Sequence, residues 1–252
     1  MDVTELIIDL HKDNERQGPG DERETLRAIE VARLDPSAPL AVADLGAGTG
    51  ASSLVIARAL RATVTAIDAA PAFVEVLRRR AWDAGLGDSI RAQVGDMESP
   101  GFADASLDVI WCEAAIYNIG FEAGVRAWRR FLKPGGVLVV SDLVWTSAQR
   151  PEPIDAHWRR EYPSIALPSE RLRTLEACGY APLGAFMLPP HCWSTCYYEP
   201  LRTGSRAFLE RHANAAEAQE IVAVEEAEAR LYEQFGAWYG YSFFIARRIE
   251  GA

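Results

Sequence analysis

Leu40-Ala41-Val42-Ala43-Asp44-Leu45 runs directly into Gly46-Ala47-Gly48-Thr49-Gly50, and a helical apolar pattern follows from Ala51 to Leu60. A short apolar run ended by glycines and followed by a helix reads as strand, tight turn, helix. Glycines at such a turn accept positive φ and leave no Cβ between the backbone and an approaching ligand. Read alone, the turn stays open between G-x-G-x-G, a dinucleotide-type G-x-G-x-x-A ending at Ala51, and a purely structural turn.

Working outward, Ala62 to Ile67 is rich in β-branched residues and ends at Asp68. Pro71 and the spacing of Phe73, Val74 and Leu77 predict a second helix running into Arg78 to Trp82. Ile90 to Val94 before Gly95, Leu107 to Trp111, and Val137 to Val140 after Pro134-Gly135-Gly136 are three further strands. Strands alternating with helices imply a parallel sheet covered on both faces, with ligands at the carboxyl ends of the strands. Ala181 to Met187 and Tyr241 to Ile249 read as a closing antiparallel pair, separated by a helical stretch from about Leu201 to Phe235. Within it, the acidic run Ala213 to Arg230 has a narrow apolar stripe through Ile221 and Val224 towards Leu231. That pattern predicts an outer helix docked on one side and offers a surface for a homodimer. The Pro-rich patches at 151–168 and 189–200 read as excursions from one domain.

The chain has 252 residues, 49% hydrophobic and 25% charged, values that fit a folded globular protein and not a disordered or collagenous one. Its formal net charge of −10 repels polyanions, so no nucleic acid and no anionic membrane is expected as a partner. Cys112, Cys178, Cys192 and Cys196 are scattered without paired knuckles, which reads as reduced thiols and no metal. His11, Lys12, Asp13, Glu15 and Arg16 interrupt the first apolar runs, so no export pattern is seen and a cytoplasmic location is expected.

Asp68 lies 22 residues after Gly46, where a carboxylate at a strand tip accepts from vicinal ribose hydroxyls; the alternative is a helix cap. At the next strand tip, Asp96 and Met97 offer an acceptor for an adenine amine and an apolar side chain for its ring. Asp44 to Gly50, Asp68, Gly95 to Met97 and Leu132-Lys133-Pro134-Gly135-Gly136, in this order and spacing, resemble the motif series of class I S-adenosylmethionine-dependent methyltransferases over roughly residues 38–145. Arg16-Gln17-Gly18-Pro19-Gly20 and the run Glu113 to Gly120 are similar to a bacterial subgroup of the UbiE-like, type 11 set. The resemblance implies an α/β fold with a doubly wound, seven-stranded, mostly parallel sheet and an antiparallel last strand. It also implies one domain over 1–252, with an N-terminal flap at about 1–35 and lid segments at about 143–168 and 188–240. The implied cofactor is S-adenosylmethionine, leaving as S-adenosylhomocysteine. Its methionine moiety would lie against Gly46, Ala47 and Gly48 beside Asp44, its ribose on Asp68 and Ala69, and its adenine near Asp96 and Met97. Gln17 and Gly18 of the flap and Glu113 complete the implied cofactor set. The N/D-P-P-Y/F tetrads of amide and base methylating branches are absent.

Methyl transfer is an in-line displacement that leaves a neutral thioether, so alignment matters more than stabilising a new anion. Glu113, Tyr117 and Asn118 are the expected catalytic residues, placed to orient or deprotonate a small-molecule acceptor. Cofactor binding alone for Glu113 and local packing for Tyr117 are the alternatives. The excursions carry Trp145, Trp158, Tyr162, Trp193, Tyr197 and Tyr198, and Trp158, Tyr162, Trp193 and Tyr197 are the expected acceptor pocket. Trp193 and Tyr197 are four apart, as one helical face requires. His157 and His191 are lone histidines expected to be solvated or structural. A noncatalytic cofactor-binding or sensing protein of the same fold would keep every one of the turn features. An NAD-dependent oxidoreductase would leave Gly95 to Met97 and the LKPGG run without a role.

Overall fold

Two helices, α1 (Val3–His11) and α2 (Glu22–Ala32), precede the first strand in the computed structural model, which describes residues 2–250. Asp21 caps α2 by accepting from the Arg23 amide at 2.7 Å. The alternation expected from the sequence follows: β1 (Leu40–Leu45), α3 (Ala51–Ala59), β2 (Ala62–Asp68), α4 (Pro71–Asp83) and β3 (Ile90–Val94). Next come β4 (Leu107–Cys112), α5 (Phe121–Trp128), β5 (Leu132–Trp145), α6 (Glu152–Glu161), α7 (Pro168–Ala177) and β6 (Tyr180–Met187). A short α8 (His191–Trp193) winds into a π-helical turn over Ser194–Tyr198, and α9 (Glu199–Arg211), α10 (Ala216–Phe235) and β7 (Tyr239–Arg248) complete the chain.

The seven strands form one sheet in the order β3-β2-β1-β4-β5-β7-β6. Pairing is parallel from β3 to β5, and β7 lies antiparallel between β5 and β6. The chain leaves β1 on one side for β2 and β3 and returns to β4 on the other. The carboxyl end of β1 therefore faces the switch point where crossovers diverge and a crevice opens. Alternate side chains feed two apolar layers. Val42, Val64, Val109 and Val139 share one apolar cluster with Ile29, Ile56 and Leu77 on one face. Ala43, Ile110, Leu138 and Val140 pack under Phe121, Val125, Trp128 and Leu175 on the other.

β5 runs to Trp145, past the Val140 at which the apolar run stops, because its polar continuation is satisfied internally. Ser141 Oγ accepts from the Ala114 amide at 2.8 Å. Asp142, with no exposed surface, forms a 2.7 Å ion pair with Arg171 and accepts from the Tyr162 hydroxyl at 3.0 Å. Burial pushes its carboxyl up to about 6, with the Arg171 guanidinium pulling the other way. The helical stretch expected from about Leu201 to Phe235 is two helices, divided at Ala213 and Asn214, which adopt positive φ of 51° and 54°. Val224 does not belong to the inner stripe of α10: it is 60% exposed, while Ala218, Ile221, Ala229 and Phe235 are buried. Glu225 and Glu228, four and seven residues after Ile221, share its inward face and line the cavity described below. Among the described residues no helix is long and apolar enough to cross a membrane.

Removing one member of a buried ion pair strands the other charge away from water. Arg171→Met is expected to destabilise the fold by about 3–5 kcal/mol, read from urea unfolding midpoints. The double variant Arg171→Met with Asp142→Leu is expected to recover most of that loss.

Candidate functional site

The turn between β1 and α3 is built for close approach. Gly46 (φ +74°) and Gly48 (φ +54°) sit in the left-handed region, and a Cβ on either would collide, with Ala115 Cβ and Gln17 Oε1 respectively. Behind the turn, Asp44 has no exposed surface, and its Oδ2 accepts from the hydroxyls of Ser52 at 2.7 Å and Ser53 at 2.6 Å. Burial pushes the Asp44 carboxyl up to about 7 against the pull of those two hydroxyls. At the tip of β2, Asp68 accepts from the Gly48 amide at 2.7 Å and the Ala70 amide at 2.9 Å, so it also shapes the glycine turn. Burial raises its pKa while those amides lower it. Each carboxylate oxygen keeps a further lone pair for a ligand hydroxyl.

A cavity of about 670 Å³ opens over these strand tips. Gln17, Gly18, Gly46, Ala47, Gly48, Asp68, Ala69, Asp96, Met97 and Glu113 all line it, together with Tyr117 and Asn118. Of the residues expected around the cofactor, only Asp44 lies behind this wall. The volume suits a nucleoside-sized ligand. Asp96 turns one oxygen to the Glu98 amide at 2.8 Å, and the Met97 carbonyl accepts from Trp128 Nε1 at 2.7 Å, which fixes the third strand tip. Asn118 donates to the Ala115 carbonyl at 3.0 Å. Tyr117 is 43% exposed and meets the Tyr162 ring edge-on at 6.3 Å.

The N-terminal segment closes one side. Glu113 receives three donors: Arg16 at 2.8 Å, Thr25 Oγ1 at 2.9 Å and Trp111 Nε1 at 2.8 Å. Both partners of the Arg16–Glu113 pair are only 9% exposed. Gln17 spends its amide group on the carbonyls of His11 and Asn14, both at 3.2 Å, and its oxygen on the Thr49 amide at 2.9 Å. Gly18 passes so close to Ala114 that a Cβ would come within 2.9 Å of it. Ala114 itself holds φ at 51°, an uncommon backbone conformation for alanine.

A second lobe of about 250 Å³ adjoins the first, sharing Gln17, Tyr117, Tyr197 and Glu228 among its walls. Trp158, Tyr162, Trp193 and Tyr197 converge on it from α6, the segment after α6, α8 and the π-helical turn, and Tyr241 of β7 joins them. Trp145 and Tyr198 lie outside both linings. His157 faces Trp158 and does not line either lobe, and His191 instead contacts Asp21 at 2.8 Å. The sequence reading missed His11, Glu225 and Glu228. His11 meets Glu225 at 3.1 Å, and Glu228 accepts from the Tyr198 hydroxyl at 3.1 Å. Their one signal was the spacing of Ile221, Glu225 and Glu228 along a single helix face.

Residues 43–140 match the family model described as a methyltransferase domain. Methyltransferase GfsG of Streptomyces halstedii is 36% identical over 113 residues, covering 44% of this chain and 41% of the relative. Dimethylglycine N-methyltransferase of Parasynechococcus marenigrum (strain WH8102) is 40% identical over 116 residues, with the same two shares, 44% and 41%. The matched stretch thus spans less than half the length of these relatives. Over 96% of this chain and 97% of the other, the fold superposes on a crystal structure of a SAM-dependent methyltransferase from Geobacter sulfurreducens in complex with S-adenosyl-L-homocysteine. Its TM-score is 0.81 and its sequence identity 20%.

Two outcomes follow from the buried acids. Glu113→Ala leaves Arg16 without its counter-charge and is expected to cost about 3–5 kcal/mol, with faster amide exchange over residues 3–20. Between 3.8 and about 7 the folded protein holds the Asp44 proton that the unfolded chain releases, so this group makes stability fall as pH rises through that window. Asp44→Asn is expected to flatten that part of the decline, read as Tm against pH.

Proposed function

Residues 43–140 are a class I S-adenosylmethionine-dependent methyltransferase domain, and we propose that the chain transfers a methyl group from S-adenosylmethionine to a small-molecule acceptor by in-line displacement. The observation that carries this reading is the joining of two lobes: a nucleoside-sized one over the tips of β1 to β3, and an aromatic one beyond β4 and β5. The chain is one catalytic domain, with the N-terminal segment as a flap and the segments around α6 and α8 to α10 as a lid. The dimethylglycine N-methyltransferase relative supports a small-molecule acceptor over a polymer.

When bound, S-adenosylmethionine supplies a methyl group on a positively charged sulfur. Asp68 would hold the ribose hydroxyls with the lone pairs its amide bonds leave free. Asp96 and Met97 would take the adenine, and the bare backbone at Gly46 to Gly48 would admit the amino-acid end beside Gln17 and Gly18. Glu113 is a positioning residue: through Arg16 and Thr25 it holds the flap against the carboxyl edge of the sheet. Tyr117 stands where the two lobes meet, with Asn118 beside it in the larger one, and the two orient the acceptor. Alignment of this kind can supply on the order of 7–11 kcal/mol of barrier lowering.

Asp68→Ala is expected to weaken S-adenosylhomocysteine binding by about 1.5–3 kcal/mol, the worth of hydrogen bonds to a charged group, measured by calorimetry on folded protein. Unchanged affinity would remove the ribose assignment. Transfer of labelled methyl to a metabolite panel distinguishes an enzyme from a cofactor sensor. Binding of NAD in place of S-adenosylhomocysteine would overturn the proposal.

A further inference from the structure

The smaller lobe has a one-sided chemistry. Six of its lining residues are aromatic, two are the carboxylates Glu161 and Glu228, and no lysine, arginine or histidine is among them. Glu161 is exposed and paired with Arg160 at 2.7 Å. Glu228 has no cation within ion-pair distance among the described residues; its recorded partner is the Tyr198 hydroxyl. The cations nearest the lobe are already engaged, His11 by Glu225, Arg16 by Glu113 and Arg171 by Asp142. A half-buried carboxylate without a counter-charge, set among aromatic side chains, attracts a cation and repels an anion. A carboxylate or phosphate acceptor would meet two acids and no base.

Resting on the methyl-transfer reading above, we infer that the acceptor is an amine that enters this lobe as an ammonium ion, held by Glu228 and by the rings of Tyr117, Tyr162 and Tyr197. The reaction balances there without another reactant. The ammonium gives one proton to a Glu228 oxygen, and the nitrogen lone pair so freed forms the N–C bond. The S–C bond breaks with its electron pair left on sulfur, and the positive charge moves from sulfur to the methylated nitrogen. The product is again a cation, held by the rings until it leaves, and Glu228 gives its proton to solvent to return to the carboxylate form.

The test uses the whole chain saturated with S-adenosylhomocysteine and two probes of one shape. The first is choline; the second is its neutral carbon isostere, in which a tert-butyl group replaces the trimethylammonium. Calorimetry is expected to show choline binding at least about tenfold tighter than the isostere, the scale of a desolvated cation–π and carboxylate contact. Glu228→Gln is expected to lower that preference several-fold, to what the rings alone give, while S-adenosylhomocysteine still binds, which also certifies that the variant is folded. Equal binding of the two probes, preference for the isostere, or binding of neither would overturn the amine acceptor and leave the methyl-transfer reading standing. A preference undiminished in Glu228→Gln would overturn the role of Glu228. Failure of S-adenosylhomocysteine itself to bind would overturn the methyl-transfer reading, and the amine acceptor with it.

Discussion

One buried carboxylate organises the site. Glu113 follows β4 at the switch point of the sheet and gathers donors from Arg16, Thr25 and Trp111. A carboxylate that loses water must recover its hydrogen bonds from the protein, and three charged or polar donors do so here. Arg16 lies in the segment between α1 and α2, and Thr25 lies within α2, so satisfying this one charge also fixes the whole N-terminal wall of the cavity. Gln17 then falls beside Gly48 and Thr49, and α1 is carried across to place His11 against Glu225 on α10. The N-terminal segment and α10 are thus connected to the strand tips through side chains rather than through the sheet.

The second constraint is topological. Reversal of strand order at β1 leaves its carboxyl end flanked by β2 on one side and β4 on the other. Groups that end or follow those strands, Asp68 and Glu113, therefore line the same cavity over the glycine turn. Asp44 beneath them adds a third acid to the same small volume, and burial with its neighbours Glu113 and Asp68 raises its pKa. A site so rich in acid at the base of a glycine turn suits a ligand that is positively charged or rich in hydroxyls.

Most of the sheet was legible in the sequence because its signals are local. β1 and β3 are bounded by glycines, β2 by Asp68, and each is a run too short for a helix. β5 was read short because Ser141 and Asp142 break the apolar run. Their satisfaction comes from Ala114, Tyr162 and Arg171, remote in sequence, which no local pattern announces. The same holds for α10. Glu225 and Glu228 sit in an acidic stretch whose default reading is a solvated face, and their inward turn depends on His11, 214 positions away along the chain, and on Tyr198. The strand-tip acids and the aromatic residues of the second lobe could be named in advance because they are compositional features. The partners of Glu113 could not, since two of its three hydrogen bonds join residues 97 and 88 positions apart.

The distribution of paired and unpaired charge gives the cavity its direction. Around the larger lobe the buried Arg16 is matched with Glu113, and His11 hydrogen-bonds Glu225. Glu228 has no ion-pair partner among the described residues, and burial together with nearby Glu225 raises its pKa while the Tyr198 hydroxyl pulls the other way. That rise is the desolvation cost of a charge the free protein compensates only in part. A neutral ligand entering beside it would deepen the cost by displacing the remaining water. A cation would lower it, because the attraction between opposite charges grows as water is excluded. On the proposed reading, exclusion of water that aligns an acceptor for transfer would also strengthen selection by charge, so alignment and recognition would act in the same direction at one carboxylate.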